Sequence, residues 1–149
     1  MNNPITVETT INAPMEIVWQ FWNTPEDIMQ WNNPSGDWHT LKVENDLKDR
    51  GQFLFRMEAK DGNDAFDFSG KYDQVITNQL IEYTLEDGRK TLIKFSEKEN
   101  SVIIAETFEP ESKTPLEIQR DFCQSVLNNF GRYVKNKTVK NKIIDVSQY

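Results

Sequence analysis

Two polar residues stand where the hydrophobic pattern of the chain requires apolar ones. Glu106 shares the inward face of a predicted strand with Ile104 and Phe108, and Gln119 projects onto the apolar arc of a predicted helix. A polar side chain withdrawn from water needs a hydrogen-bond partner, a bound water or a ligand group. Glu106 and Gln119 are therefore candidate polar contacts in a binding cavity. The structural alternative is that both lie near the cavity mouth or hydrogen-bond to each other.

Two further side chains have reactive chemistry but no partner recognisable by motif. His39, the only histidine, shares its parity with Leu41 and Val43, so it is a candidate general base if it points inward and a solvated strand-edge residue if it does not. Cys123 lies within a helical apolar arc, which is typical of a small buried hydrophobe. One cysteine and one histidine supply neither a disulfide nor a zinc ligand set. We therefore predict no metal and no cofactor, and we assign no catalytic residue.

Composition restricts the classes of partner. The 149 residues carry a formal net charge of -7, and no basic stripe offsets it, so nucleic acid is not an expected partner. No stretch approaches the ~20 apolar residues of a membrane span, and the N-terminus lacks the pattern of a signal peptide. We expect a cytoplasmic protein with one domain over residues 1–137 and a C-terminal tail over residues 138–149.

The elements that must position these side chains begin with one strand and two short helices. Alternating apolar and polar residues predict a half-buried strand over residues 5–11. A first helix follows, with Asn12 as its cap and Pro14 in its first turn. A second helix is predicted to begin at Thr24-Pro25 and to end before Pro34.

From residue 37 to residue 110 the apolar residues recur at every second position. Turn residues such as Asp61-Gly62, Asp87-Gly88 and Glu99-Asn100 interrupt this pattern, and no helix intervenes. The segment therefore predicts six strands of an antiparallel, meandering sheet, whose inward face collects nearly all the Phe and Tyr residues.

A long amphipathic helix is predicted from Thr114 to about Lys137. Its apolar arc includes Phe122, Val126 and Phe130, and a helix of this length crosses a whole small domain. After it, residues 138–149 are expected to fray, or to add an edge strand or dock on a neighbour.

This order of elements resembles the helix-grip fold of the START-like superfamily, also called SRPBCC, an α+β class in which a curved antiparallel sheet wraps a long C-terminal helix. More narrowly, the chain resembles the AHSA1-like family, named after the activator of Hsp90 ATPase. The resemblance covers Ile5 to about Val134 and is carried by Ile11-Asn12-Ala13-Pro14 with Val18-Trp19, Thr24-Pro25-Glu26 with Ile28 and Trp31, Asp46 with Gly51-Gln52-Phe53 and Met57, Gly70 with Tyr72, Tyr83-Thr84, Asp87-Gly88, and Phe122-Cys123 with Leu127 and Phe130.

The resemblance implies a pocket between sheet and helix that binds an apolar or amphipathic small molecule without catalysis. The expected lining residues are Phe53, Phe55, Met57, Phe68, Tyr72, Tyr83, Phe95, Glu106, Gln119, Phe122, Val126 and Phe130. The alternative to such a pocket is that the aromatic face, which also includes Phe66 and Phe108, is packed solid.

Two other functions remain open. One is a regulatory role with an Hsp90-like chaperone, although the eukaryotic activators carry a further domain. The other is a cyclase-like or hydrolase-like activity, with His39, Glu106 or Tyr72 as acid or base. A small hydrophobic molecule is the first expected partner, and a second copy of the chain is another.

The chain departs from the family pattern at two positions. Arg50 stands where many relatives have the first of two glycines, and Cys123 stands where the family usually has tryptophan. The loss of an indole from the inner face of the helix is expected to enlarge or reshape the interior, unless Trp22, Trp31 or a phenylalanine refills the space.

Overall fold

The computed structural model describes the backbone of residues 1–147 and the side chains of residues 1–139. It contains seven strands and three helices over this range. The strands are β1 (Ile5–Ile11), β2 (Trp38–Asn45), β3 (Gln52–Ala59), β4 (Ala65–Ile76), β5 (Leu80–Leu85), β6 (Lys90–Lys98) and β7 (Ser101–Phe108), and the helices are α1 (Met15–Asn23), α2 (Pro25–Trp31) and α3 (Leu116–Ser147).

All seven strands form one antiparallel sheet in the order β1-β7-β6-β5-β4-β3-β2. β2 to β7 are a simple meander, and β1 closes the edge by pairing with β7, so that Ile5 lies opposite Phe108. The sheet curls into a half-barrel around α3, which confirms the predicted α+β helix-grip fold. No helix in the part of the chain that the structure describes is long and apolar enough to cross a membrane.

The tight turn before β3 contains one glycine, Gly51, and Arg50 stands at the position of the other. A Cβ added at Gly51 would lie 1.9 Å from the carbonyl oxygen of Asp46, so no other residue fits there without movement of the backbone. Arg50 takes the other special position, with φ +68°. This left-handed conformation costs a non-glycine residue about 1–2 kcal/mol.

The short helices begin as predicted, but their caps differ from the expected ones. Asn12 does not cap α1, because its side-chain oxygen accepts a hydrogen bond from the Ser101 hydroxyl at 2.7 Å. The Thr24 hydroxyl donates to the Gln20 carbonyl at 2.7 Å and leaves the first turn of α2 uncapped. Pro14 directly precedes α1, and Pro25 occupies the first turn of α2.

The last helix is longer than predicted. α3 begins two residues after Thr114 and continues for 32 residues to Ser147, ten residues beyond the expected end at Lys137. Residues 138–147 extend the helix and do not form an edge strand, because no proline or glycine interrupts them. Residues 148 and 149 lie outside the described residues.

The core beneath the middle of α3 is densely packed with aromatic side chains. The rings of Trp22 and Trp31 lie 4.7 Å apart, and each contacts Phe130, at 5.0 Å and 4.9 Å between centroids. Phe95 packs edge-on against Trp22 at 5.8 Å. Together with the buried Leu127 these four rings define the filled half of the interior.

Candidate functional site

A cavity of about 430 Å³ lies between the sheet and the N-terminal half of α3. Its volume falls in the range of about 300–1,000 Å³ that is typical of small-molecule pockets. We call this region the hollow half of the interior. Ten of the twelve residues predicted to line a pocket are found on its wall, namely Phe53, Phe55, Met57, Phe68, Tyr72, Tyr83, Glu106, Gln119, Phe122 and Val126.

Aromatic rings from three adjacent strands form the sheet side of the cavity. The Phe53 ring lies at the centre, with centroids 5.6 Å from Phe55, 5.8 Å from Phe68, 5.1 Å from Tyr72 and 4.9 Å from Tyr83. Alternation along β3, β4 and β5 directs these side chains to one face of the sheet. The wall is therefore apolar and rich in ring faces.

The other two predicted lining residues belong to the filled half. Phe130 is fully buried against the two tryptophans, and Phe95 lies against Trp19 at 5.1 Å and against Trp22. Neither ring reaches the cavity, because the side chains of α1 and α2 cover them. Trp22 of α1 and Trp31 of α2, which pack against these rings, line the cavity themselves. The observed cavity therefore covers only part of the aromatic face of the sheet.

Glu106 is a half-buried carboxylate on the cavity wall, on β7, opposite Val7 of β1 and Ile93 of β6. It forms no hydrogen bond or ion pair with any residue whose side chain the structure describes. Burial raises its pKa from the ordinary value of 4.5 to about 7. Near neutral pH the neutral and ionised forms of the carboxyl group are therefore both populated.

Two further ionisable groups face Glu106 from neighbouring elements. Burial raises the pKa of the Tyr83 phenol on β5 and of the Cys123 thiol on α3, and the negative charge of Glu106 raises both further. Both groups stay neutral at physiological pH. Cys123 therefore lacks the thiolate character of a reactive cysteine, as its interpretation as a small buried hydrophobe requires.

Gln119 forms its hydrogen bonds with the loop that precedes α3. Its side-chain nitrogen donates to the carbonyls of Glu111 at 3.0 Å and Thr114 at 2.8 Å, and its oxygen accepts from the Glu111 backbone N–H at 2.9 Å. Both donors and one acceptor site of the amide are thus used by the loop between β7 and α3. The partner that the sequence required for Gln119 is this loop, and the residue borders the cavity, so its contact with a ligand stays a prediction.

The cavity reaches the surface between the β5–β6 turn, the loop after β7 and the first turns of α3. Arg89, Glu109 and Glu111 lie at this mouth, and the exposed side chains of Ile118 and Phe122 form its apolar edge. Backbone hydrogen bonds from Asn2 and Lys90 lower the pKa of Glu109, and hydrogen bonding by Thr114 lowers that of Glu111. The Arg89 guanidinium pairs with Asp87 at 2.8 Å.

The side chains proposed for acid–base chemistry are not all brought together. A register shift in β2 between Thr40 and Lys42 leaves Thr40 buried and Leu41 46% exposed. His39 therefore does not share a buried face with Leu41, and it is absent from the described cavity wall. The Tyr72 hydroxyl donates to the Asn45 side-chain oxygen, and burial raises its pKa. Of the three residues, only Glu106 and Tyr72 border the cavity.

The structure also assigns residues to the wall that were not predicted to line it. Asn45, Arg89 and Thr91 line the cavity, as do Trp22 and Trp31, which the sequence suggested only as possible fillers of the interior. For Thr91 a signal existed, because it alternates with Ile93 and Phe95 along β6. The others depend on how the helices and the turn close over the sheet, for which the sequence has no local signal.

Fold and site together define a helix-grip domain with a hollow between the sheet and its terminal helix. The model of the family described as "Activator of Hsp90 ATPase homolog 1-like protein" matches residues 12–134, so the chain belongs to the AHSA1-like family.

Solved structures agree with this assignment. The AHSA1-like protein from Aeromonas hydrophila is 35% identical, with a TM-score of 0.85 over 91% of this chain and 94% of that chain. Chr148 from Cytophaga hutchinsonii is 47% identical, with a TM-score of 0.80 over 92% of this chain and 95% of that chain. CV1439 from Chromobacterium violaceum, at 21% identity and a TM-score of 0.78 over 87% of this chain and 96% of that chain, shares the fold. No curated protein matches the chain.

Proposed function

We propose that this domain binds an amphipathic small molecule in the cavity beneath α3 and does not transform it. The observation that carries the proposal is the 430 Å³ space whose sheet side is lined by aromatic side chains. Protein interiors are normally close-packed, and an apolar void forfeits contacts that a filled core would make. A bound ligand restores those contacts, so the cost of the void is offset when the site is occupied.

The chemistry of the wall supports an amphipathic ligand. Rings cover the sheet side, whereas Glu106 and Thr91 are polar groups along β7 and β6. A concave, mostly apolar site with a few polar groups is the usual form of a small-molecule pocket. At roughly 30 Å³ for each non-hydrogen atom, the volume accommodates at least about a dozen such atoms.

Isothermal titration calorimetry with decan-1-ol tests the proposal. We expect saturable binding to the wild-type protein and a loss of binding in Cys123→Trp, whose indole would occupy the cavity. Cys123→Ser is the matched control, since it changes the same position without filling space. The proposal fails if neither decan-1-ol nor any co-purified molecule, detected by native mass spectrometry, binds to the folded protein.

The family to which the chain belongs supplies a second candidate, an Hsp90-associated role. The exposed apolar side chains Leu116, Ile118 and Phe122 at the start of α3 are suited to a protein contact. An Hsp90 ATPase assay with wild-type protein and with Ile118→Asp measures this role directly. An unchanged ATPase rate in the presence of excess wild-type protein would remove the candidate.

A further inference from the structure

The Glu106 carboxyl group lies half-buried on the cavity wall and has no counter-ion among the residues whose side chains the structure describes. The cations nearest the cavity mouth pair with other carboxylates. Arg89 pairs with Asp87, and the Lys90 side chain lies 4.0 Å from Asp73. A buried ionised carboxylate is costly unless a positive group or several hydrogen bonds compensate it. Because the described protein atoms supply neither, the carboxylate is compensated by water when no ligand is bound and is free to pair with a group of the ligand.

The surroundings of Glu106 favour a positive group over other compensating groups. The Tyr83 ring lies near the carboxylate, since the charge of Glu106 acts on its phenol, and the rings of Phe53 and Phe68 lie further along the same cavity wall on β3 and β4. The face of an aromatic ring attracts a cation within about 6 Å of its centroid, and aromatic cages are a recurring way to bind ammonium groups. A carboxylate with the Tyr83 ring nearby offers an ammonium group both an ion pair and a cation–π contact.

Charges at the mouth act in the same direction. Glu109 and Glu111 have lowered pKa values and are ionised at neutral pH, and the whole chain carries a net charge of -7. Clefts lined by one sign of charge raise the local concentration of ligands of the opposite sign. Arg89 is the opposing group at this edge, and Asp87 partly neutralises it.

We propose that Glu106 anchors the protonated amine of the ligand, and that the ligand class is amphipathic amines with an apolar body of about ten carbon atoms. This inference rests on the proposed function and specifies its head group. A fatty acid of the same length would place a second negative charge against Glu106. An alcohol would satisfy the hydrogen bond but would leave the charge of the carboxylate uncompensated.

A head-group series tests this assignment by isothermal titration calorimetry at pH 8. The probes are decylamine, decan-1-ol and sodium decanoate, which share one apolar chain and differ only in the polar end. For wild-type protein we expect decylamine to bind on the order of tenfold to a hundredfold more tightly than decan-1-ol, and decanoate to bind most weakly. This range corresponds to a charge-assisted hydrogen bond.

The variant Glu106→Gln keeps the shape of the side chain and removes its charge. We expect the ratio of decylamine to decan-1-ol affinity to fall to about one in this variant. Glu97→Gln is the matched control, because it removes the same charge from an exposed position on β6. There the ratio should stay at its wild-type value, which separates a local anchor from the effect of net charge.

The pH profile provides a measurement that needs no variant. Tyr83 and Cys123 remain neutral, Glu109 and Glu111 remain ionised, and an alkyl amine remains protonated between pH 6 and pH 8. Glu106 is the cavity group that ionises in this window. The affinity for decylamine should therefore rise about tenfold from pH 6 to pH 8, and that for decan-1-ol should not.

The outcomes distinguish this inference from the function on which it rests. If decan-1-ol and decylamine bind equally well, or if Glu106→Gln retains the amine preference, the ammonium assignment is wrong and cavity binding stands. If no member of the series binds to the folded protein, the proposed function is overturned and the head group with it.

Discussion

The filled half and the hollow half of the interior are both lined by apolar and aromatic side chains, but only the filled half is close-packed. In the filled half, α3 contributes Leu127 and Phe130, which are 1% and 0% exposed and meet two tryptophans. In the hollow half, the same face of the same helix contributes Cys123 and Val126, which are only partly buried and border an open space. Side-chain volume on one helix therefore distinguishes a core from a pocket.

The difference shows how one fold separates stability from binding. α1 and α2 supply tryptophans that close the filled half, whereas over the corresponding part of β3, β4 and β5 the cavity separates the sheet from α3. There the aromatic rings contact each other along the sheet and leave their inner sides free. We infer that the filled half supplies most of the packing energy, whereas the hollow half tolerates change because its packing is incomplete.

The largest expected effect contrasts one ring from each half. Phe130→Ala should lower the free energy of unfolding by about 3–5 kcal/mol, because it opens a new void among close-packed rings. Phe68→Ala should cost about 1–2 kcal/mol, since its ring already borders a cavity and is only partly buried. Urea denaturation of both variants measures the contrast. Equal losses would show that the hollow half is packed as tightly as the filled half.

The second effect concerns the half-buried acid on the cavity wall. The pKa of Glu106 is raised on folding, so ionisation opposes the folded state: its stability is greatest below the ordinary pKa of 4.5 and falls as pH rises to about 7. Glu106→Gln should therefore be more stable than wild type at pH 8, by up to about 3 kcal/mol, and nearly equal to it at pH 4.5. Water inside the cavity reduces the expected stability gain at pH 8, because it solvates the carboxylate.

Thermal and urea unfolding at both pH values would measure this gain. A variant that is less stable than wild type at pH 8 would mean that the carboxylate is compensated in the ligand-free protein. Such a result would mean that Glu106 stabilises the fold through a positive partner within the protein.

The third effect adds the same large side chain to each half, at positions one helical turn apart. Leu127→Trp should destabilise the protein by about 1–3 kcal/mol, because the filled half has no room for an indole. Cys123→Trp should change stability by less than about 1 kcal/mol, because the indole enters the cavity. Denaturation midpoints of the pair give a direct measure of free space, and a large loss in Cys123→Trp would contradict the cavity.

The smallest effect concerns the loop that borders the hollow half. Gln119→Leu removes three hydrogen bonds to the loop between β7 and α3 and should cost about 1 kcal/mol, since solvent can replace part of them. Hydrogen exchange should increase at Glu111, whose backbone N–H loses its acceptor. Unchanged exchange there would show that the loop holds its conformation without Gln119.

The sequence predicted the elements better than the division between the two halves. Alternation and turn residues located all seven strands, because each signal is local. The helical period placed Val126 and Phe130 on one arc, but period alone does not show which of them meets a ring and which meets a void. That outcome depends on the curvature of the sheet and on the position of α1 and α2.

The two inward polar residues illustrate the same limit. Glu106 and Gln119 were both predicted to face inward, and both border the cavity. Only the structure distinguishes them, because the partners of Gln119 are backbone groups whose positions depend on the fold of a loop. Glu106 has no such loop beside it. A pattern detects a polar group in an apolar place, whereas its partner is a property of the tertiary structure.

The tryptophan pair at the boundary between the two halves provides an optical reporter within the protein. Trp22 and Trp31 both line the cavity, and a hydrogen bond from the Trp31 indole N–H to the Phe21 carbonyl at 2.9 Å fixes one ring in place. Their rings, 4.7 Å apart, are close enough for coupled electronic transitions. Occupancy of the hollow half should therefore alter emission and circular dichroism without any attached dye, and compound libraries can be screened on the unlabelled protein.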